Sequence, residues 1–199
     1  MDEVFARDYL HSDLREVREV MLWKLDGLSE YDVRRPLTST GTNLLGLLKH
    51  LSIAELRYFG DVFDRPFSEH IPEFSDADTW VTPDEHRTEI VDGYRAACAH
   101  ADRTIEALDL DAPGYVPWWP RPKVKLFNVL VHMLTETTRH AGHADILREQ
   151  IDGAVGSGPQ DTADTERGPE FWTVHRAKVE KAAQALRLPT GAPGSPDRS

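Results

Sequence analysis

Three histidines and a glutamate fall within one twelve-residue stretch of this 199-residue chain: His132, Glu136, His140 and His143. At about 100° per residue on a helix they sit at roughly 0°, 40°, 80° and 20°, so all four share one narrow face. Side chains three or four apart on a helix are close enough to grip one ion, and Glu136/His140 and His140/His143 both meet that spacing. A further imidazole is offered by His50 in LLGLLKHLSIAE, flanked on its own face by Gly46, Leu47, Ile53 and Ala54, which should turn it inward. Histidine on one helix facing an acid and a histidine on another is a common way to build a metal site in a helical core. Each group also has a plainer reading. A lone histidine on an apolar helix is usually a hydrogen-bonded core residue, His132 is near its helix start and open to solvation, and Glu136/His140 is also a good surface ion pair. Together, buried and unpaired, they would cost several kcal/mol. One divalent cation satisfies them all. The third ligand stays open between Glu136 and His143.

Four segments with helical periodicity must position these groups, and none shows convincing strand alternation. The first runs from about residue 4 to 25, with Gly27 as a stop. The second follows Thr42, read as its N-cap, to about Phe63. A Thr82-Pro83-Asp84-Glu85 start signal opens the third, which runs to about Leu108. The fourth spans about 125–151, with Gly153 as its stop. The expected fold is all-α, an up-down four-helix bundle over residues 1–153 with long connecting loops. A C-terminal extension over 154–187 is expected to place a short helix against the bundle, and 188–199 read as a disordered tail. The connections 64–81 and 109–124 are long enough to wrap over a site. Trp118 and Trp119 in the second of them are candidates for a pocket wall or a lid on the core. Arg57, two turns beyond His50, is placed to meet a substrate carboxylate or simply to be solvated, and His132 is a further candidate for substrate binding.

Composition limits the partners. With 23 Lys+Arg against 34 Asp+Glu the net charge is −11, which disfavours nucleic acid and anionic membranes. Charges scattered through the first twenty residues leave no room for a signal core, and no segment is apolar enough for a membrane span, so a cytoplasmic protein is expected. The single cysteine, Cys98, allows neither an internal disulfide nor a Cys-rich zinc site, and its surroundings in DGYRAACAHAD suit a small packed residue. Monomer and homodimer are both open.

The segments LLGLLKHLSIAE and HMLTETTRHAGHADILREQIDG, the VPWW loop and the terminal FWTVHRAKVEKAA resemble the DinB-like metal-binding four-helix bundle superfamily over roughly residues 10–185. The likeness is strongest to its actinobacterial branch, related to mycothiol-dependent maleylpyruvate isomerases and thiol S-transferases. The resemblance implies that His50 and His140 ligate a metal, with Glu136 where many relatives carry histidine. His143 stands where they often have glutamine, as a ligand substitute or a neighbour of the ligands. Two histidines and one carboxylate suit zinc, nickel or iron; the resemblance further implies a low-molecular-weight thiol such as mycothiol as cosubstrate, a second small-molecule substrate, and S-transferase or isomerase activity. A non-catalytic stress-response module and a metal-dependent hydrolase using His143 or Glu136 as base are the alternatives.

Overall fold

A computed structural model describes residues 3–67, 75–158 and 167–186. Two compact units divide the chain, Met1–Pro159 and Gln160–Ser199. The described residues are mostly helical, with one small two-stranded sheet. In the first unit α1 is Glu3–Trp23, α2 Glu30–Arg34, α3 Leu44–Phe59, α4 Arg87–Ala107 and α5 Leu126–Asp152. Short 3-10 turns occupy Asp61–Phe63 and Asp76–Thr79. In the second unit, α6 is Pro169–Gln184, opened by a proline in its first turn. Part of the 64–81 connection (68–74) and the expected tail 188–199 lie outside the described residues.

Helix α3 packs against both α4 and α5, and α1 packs against α5 and more sparsely α4. Their contacts form two apolar clusters. One gathers Leu14, Phe59, Ile105, Val129 and Met133; the other gathers Met21, Leu48, Leu51, Tyr94, Ala141 and Leu147. Between them along α1, α3 and α4 runs a polar waist. Arg18, 3% exposed, forks onto the fully buried Glu55 through Nε and Nη2 at 2.8 and 2.6 Å and reaches Asp102 through Nη1 at 2.7 Å. His11 meets the same Asp102 oxygen at 2.7 Å. Burial disfavours the Arg18 charge, but Glu55 outweighs it and raises the guanidinium further above its usual pKa.

Several boundaries depart from the periodicity. The N-cap of α3 is Asn43 rather than Thr42; its Oδ1 accepts the Gly46 N–H at 2.8 Å. Helix α4 starts at Arg87, not at Pro83. Half of the expected capping box forms, since the Thr82 N–H donates to Glu85 at 2.8 Å. Glu85 is also drawn to Lys49 at 2.7 Å, and Arg34 takes the Thr82 and Glu85 carbonyls that a helix would use. Helix α2 was hidden because five residues are too few to show a period, although Ser29 caps it by accepting the Asp32 N–H. The absence of strands is also corrected: β1 (Pro113–Tyr115) and β2 (Lys123–Lys125) pair antiparallel with Gly114 opposite Val124. Three residues per strand give no alternation to read. This hairpin sits on the Asp61–Phe63 turn so closely that a Cβ at Gly114 would come within 2.8 Å of Phe63, and its loop carries Trp118 and Trp119. Gly153 does stop α5, at φ 80°, donating its N–H to the Glu149 carbonyl.

Candidate metal centre

His50 is on the α3 face turned to α5, and Glu136 and His140 lie one turn apart on α5. The Nε2 atoms of both histidines approach the same oxygen, Glu136 Oε1, at 3.5 Å for His50 and 3.0 Å for His140. The imidazoles meet edge to face with centroids 5.0 Å apart. One ligand atom from each of the three residues lies within 4.8 Å of the other two. Ligands about 2.1 Å from a tetrahedral zinc-like ion stand about 3.4 Å from one another. The separations of 3.0 and 3.5 Å bracket that spacing, so the donor set fits a divalent ion with little movement. Two imidazoles and one carboxylate leave a fourth position open.

Electrostatics agree with an ionised Glu136 beside a neutral His140 ring. Burial works against the Glu136 charge, yet His140 and His50 hold its carboxyl below the usual range. Burial lowers His140, against the pull of Glu136. Unprotonated imidazole and ionised carboxylate are the forms that bind metal.

His143 does not join the converging three. Its Nδ1 lies 3.4 Å from Nδ1 of His140, on the ring edge away from Glu136. There it is placed to fix the ring angle and tautomer of its neighbour, as partners behind a ligating histidine do. His132 is one turn before Glu136, with its ring 4.7 Å from Tyr58 and 4.8 Å from Trp119. Burial lowers its pKa, opposed by Glu136. Trp118 and Trp119 divide the two roles expected of them. Trp118 is exposed and lines a chamber beside the triad, while Trp119 packs on the apolar cluster. The Arg57 guanidinium stands over the Trp118 ring, 5.5 Å from its centroid.

Two spaces open from the triad, and both are lined by His50, Glu136 and Thr79. The larger, about 670 Å³, adds Thr40, Thr42, Trp80, Arg139, His140 and His143. The smaller, about 490 Å³, adds Ala54, Tyr58, Ser75, Asp78, Trp118 and His132. The wall holding Thr79 and Trp80 is tied to α3 one residue before His50: Lys49 Nζ donates to the Ala77 and Trp80 carbonyls at 3.0 and 3.2 Å. Gly46 lets that wall approach, because a Cβ there would collide with the Thr79 carbonyl. Sequence reasoning passed over Tyr58, Lys49 and Arg139. Tyr58 lies eight residues beyond His50, about 80° round the helix and so toward the edge of its face, and Arg139 lines the larger space.

Cys98 is poorly suited to act as a nucleophile. Burial, reinforced by Glu55, raises its thiol pKa well above the ordinary value, against the opposing charge of Arg18.

A family model described as MST: Mycothiol-S-transferase matches residues 9–153, which take in the first unit up to the end of α5 and all three converging residues. No match was found among curated proteins.

Proposed function

We propose, from the premise that the chain belongs to the mycothiol-S-transferase family within the DinB-like superfamily, that it joins a low-molecular-weight thiol such as mycothiol to an electrophilic small molecule. The observation that carries this reading is the convergence of His50, Glu136 and His140 within ligand distance of one another, inside the matched region. On this reading these three side chains hold one divalent ion, zinc, nickel or iron, and the four long helices form an up-down bundle around it. Supporting the bundle are the contacts of α3 with α4 and α5 and of α1 with α5.

A free thiol of pKa about 8.5 is only about 3% ionised at pH 7. A bound dication would supply the positive charge that favours its thiolate. The remaining work falls to the chain. Glu136 contributes the negative charge of the donor set, and His143 steadies His140 from behind. Arg139, Thr40 and Thr42 offer hydrogen bonds to a polar, sugar-like thiol in the larger space. With Cys98 held as a thiol by burial, the reacting sulfur comes from solution. Transfer is favoured over isomerisation and hydrolysis because the matching family is one of thiol transferases. A cytoplasmic setting suits a reduced thiol cosubstrate; among the described residues no helix is long and apolar enough to cross a membrane.

The test mixes zinc-loaded protein with mycothiol and benzyl bromide and follows thiol loss. Consumption above the uncatalysed rate, abolished in His50→Ala and His140→Ala proteins of native circular dichroism, is expected. Equal rates with and without protein, for each of zinc, nickel and iron, would reject the reading.

A further inference from the structure

Two indole N–H groups converge on one phenol oxygen beside the triad. Trp118 Nε1 donates to the Tyr58 hydroxyl at 3.2 Å and Trp119 Nε1 donates to it at 3.1 Å. A hydroxyl has two acceptor sites and a single hydrogen. Both acceptor sites are filled, so the hydrogen is what Tyr58 has left to offer. Among the described residues no acceptor takes it. The side chain is 7% exposed, and it lines the smaller space together with His50 and Glu136. A hydrogen-bond donor is thus held by two neighbours on a residue that lines the same space as His50 and Glu136. Accepting two hydrogen bonds polarises the O–H and strengthens it as a donor.

The walls of this space say what shape it takes. The Tyr58, Trp118 and His132 rings and the Ala54 methyl give this open space a flat aromatic side, and Ser75, Asp78 and Thr79 add polar groups to its lining. The larger space across the triad has Leu47 and Trp80 in its lining, but it also presents three threonines and the Arg139 guanidinium. The polar thiol suits that side, which leaves the aromatic side for its partner.

We propose that the Trp118 side of the site binds a flat conjugated carbonyl electrophile, an enone or quinone, and that Tyr58 donates its hydroxyl hydrogen to the carbonyl oxygen. This rests on the thiol-transfer reading. The sulfur, its proton already released to solvent, forms a bond to the β-carbon. The C=C pair shifts toward the carbonyl, whose π pair moves onto oxygen as an enolate. Tyr58 hydrogen-bonds that oxygen as its charge grows and keeps its own proton. Water then protonates the α-carbon and the carbonyl re-forms. The thiol has added across the double bond, and neither oxidant nor leaving group is involved.

The experiment compares Tyr58→Phe with the parent protein on two electrophiles, benzylideneacetone and benzyl bromide; only the first places charge on an oxygen. Loss of one donor to a developing oxyanion costs about 100-fold or more in rate, so benzylideneacetone turnover should fall by about that factor while benzyl bromide turnover stays within about threefold. Binding is read separately from tryptophan fluorescence, titrating acetophenone and its oxygen-free counterpart ethylbenzene. The parent protein should prefer acetophenone, and Tyr58→Phe should erase the preference. If Tyr58 only braces the two tryptophans, both electrophiles suffer equally, and that result overturns the proposal. So does an undiminished benzylideneacetone rate, or a parent protein that binds acetophenone no better than ethylbenzene. A parent protein that turns over neither electrophile sinks the transferase reading, while the binding comparison still judges Tyr58.

Discussion

Replacing Glu55 alone with methionine should destabilise the protein by about 3–5 kcal/mol, the cost of removing one partner of a buried ion pair, because Asp102 takes only one of the three Arg18 hydrogen bonds. Glu55 is fully buried and Arg18 is 3% exposed, joined through two hydrogen bonds of 2.6 and 2.8 Å. Methionine nearly conserves volume, so the loss reports charge rather than a cavity. Glu55 is on the same helix as His50, five residues on and turned to the opposite side, so this pair anchors α3 to α1 behind the His50–Glu136–His140 cluster. The double variant Arg18→Met/Glu55→Met removes both charges together and should regain most of the loss, ending within about 2 kcal/mol of the parent. Asp102 would lose Arg18 but keep His11 at 2.7 Å and Arg15 at 3.4 Å. Urea unfolding followed by circular dichroism at 222 nm measures all three proteins. A single variant that costs under about 1 kcal/mol, or a double variant that costs more than the single, would refute the reasoning that the waist is a coupled charge cluster.

Asp102 makes stability pH-dependent in a defined window. Burial would raise its pKa, but His11 and Arg18 lower it from 3.8 to about 2. A carboxyl depressed in the folded state stabilises fully above its unfolded pKa and loses that contribution as pH falls through the folded one. The urea midpoint should therefore fall between about pH 4 and pH 2, with a shallower fall in Asp102→Asn. Equal slopes for the two proteins would exclude Asp102 as the cause. At Gly46, alanine would drive a methyl group into the Thr79 carbonyl, pushing the wall off α3. A loss of about 1–3 kcal/mol and altered fluorescence of Trp80, which sits on that wall, should appear in thermal melts and emission spectra; an unchanged melt would show that the wall yields freely.

The histidine face was legible in the sequence because a helix fixes the angle between residues four apart, whatever the tertiary context. His50 was legible for a different reason: a polar residue on an otherwise apolar stripe must answer to something across the helix interface. The same reasoning applied to α1 would have singled out Arg18, which falls between Leu14 and Met21 on the buried face. Its partners, Glu55 and Asp102, could not be read, because pairing across helices leaves no mark on local spacing. The start of α4 was misplaced because Arg34 and Lys49, distant in sequence, take the groups that a cap would have used. The Trp118–Trp119 hairpin was equally hidden, its two strands being too short to alternate. Glu136 and His143 are seven residues apart and only about 20° apart on the wheel, so local spacing could not choose between them; in the structure Glu136 turns to His50 and His143 to the Nδ1 edge of His140.

Metal content, taken after zinc loading and gel filtration, tests the centre most directly. The parent protein should carry about one zinc per chain. His50→Ala, Glu136→Gln and His140→Ala should each lose it while keeping the helical circular dichroism of the parent. His143→Ala should keep it, with affinity reduced by about 10- to 100-fold, the usual effect of removing a group behind a ligand. A parent protein that retains no zinc, nickel or iron would contradict the account, as would full occupancy in the His50 or His140 variants.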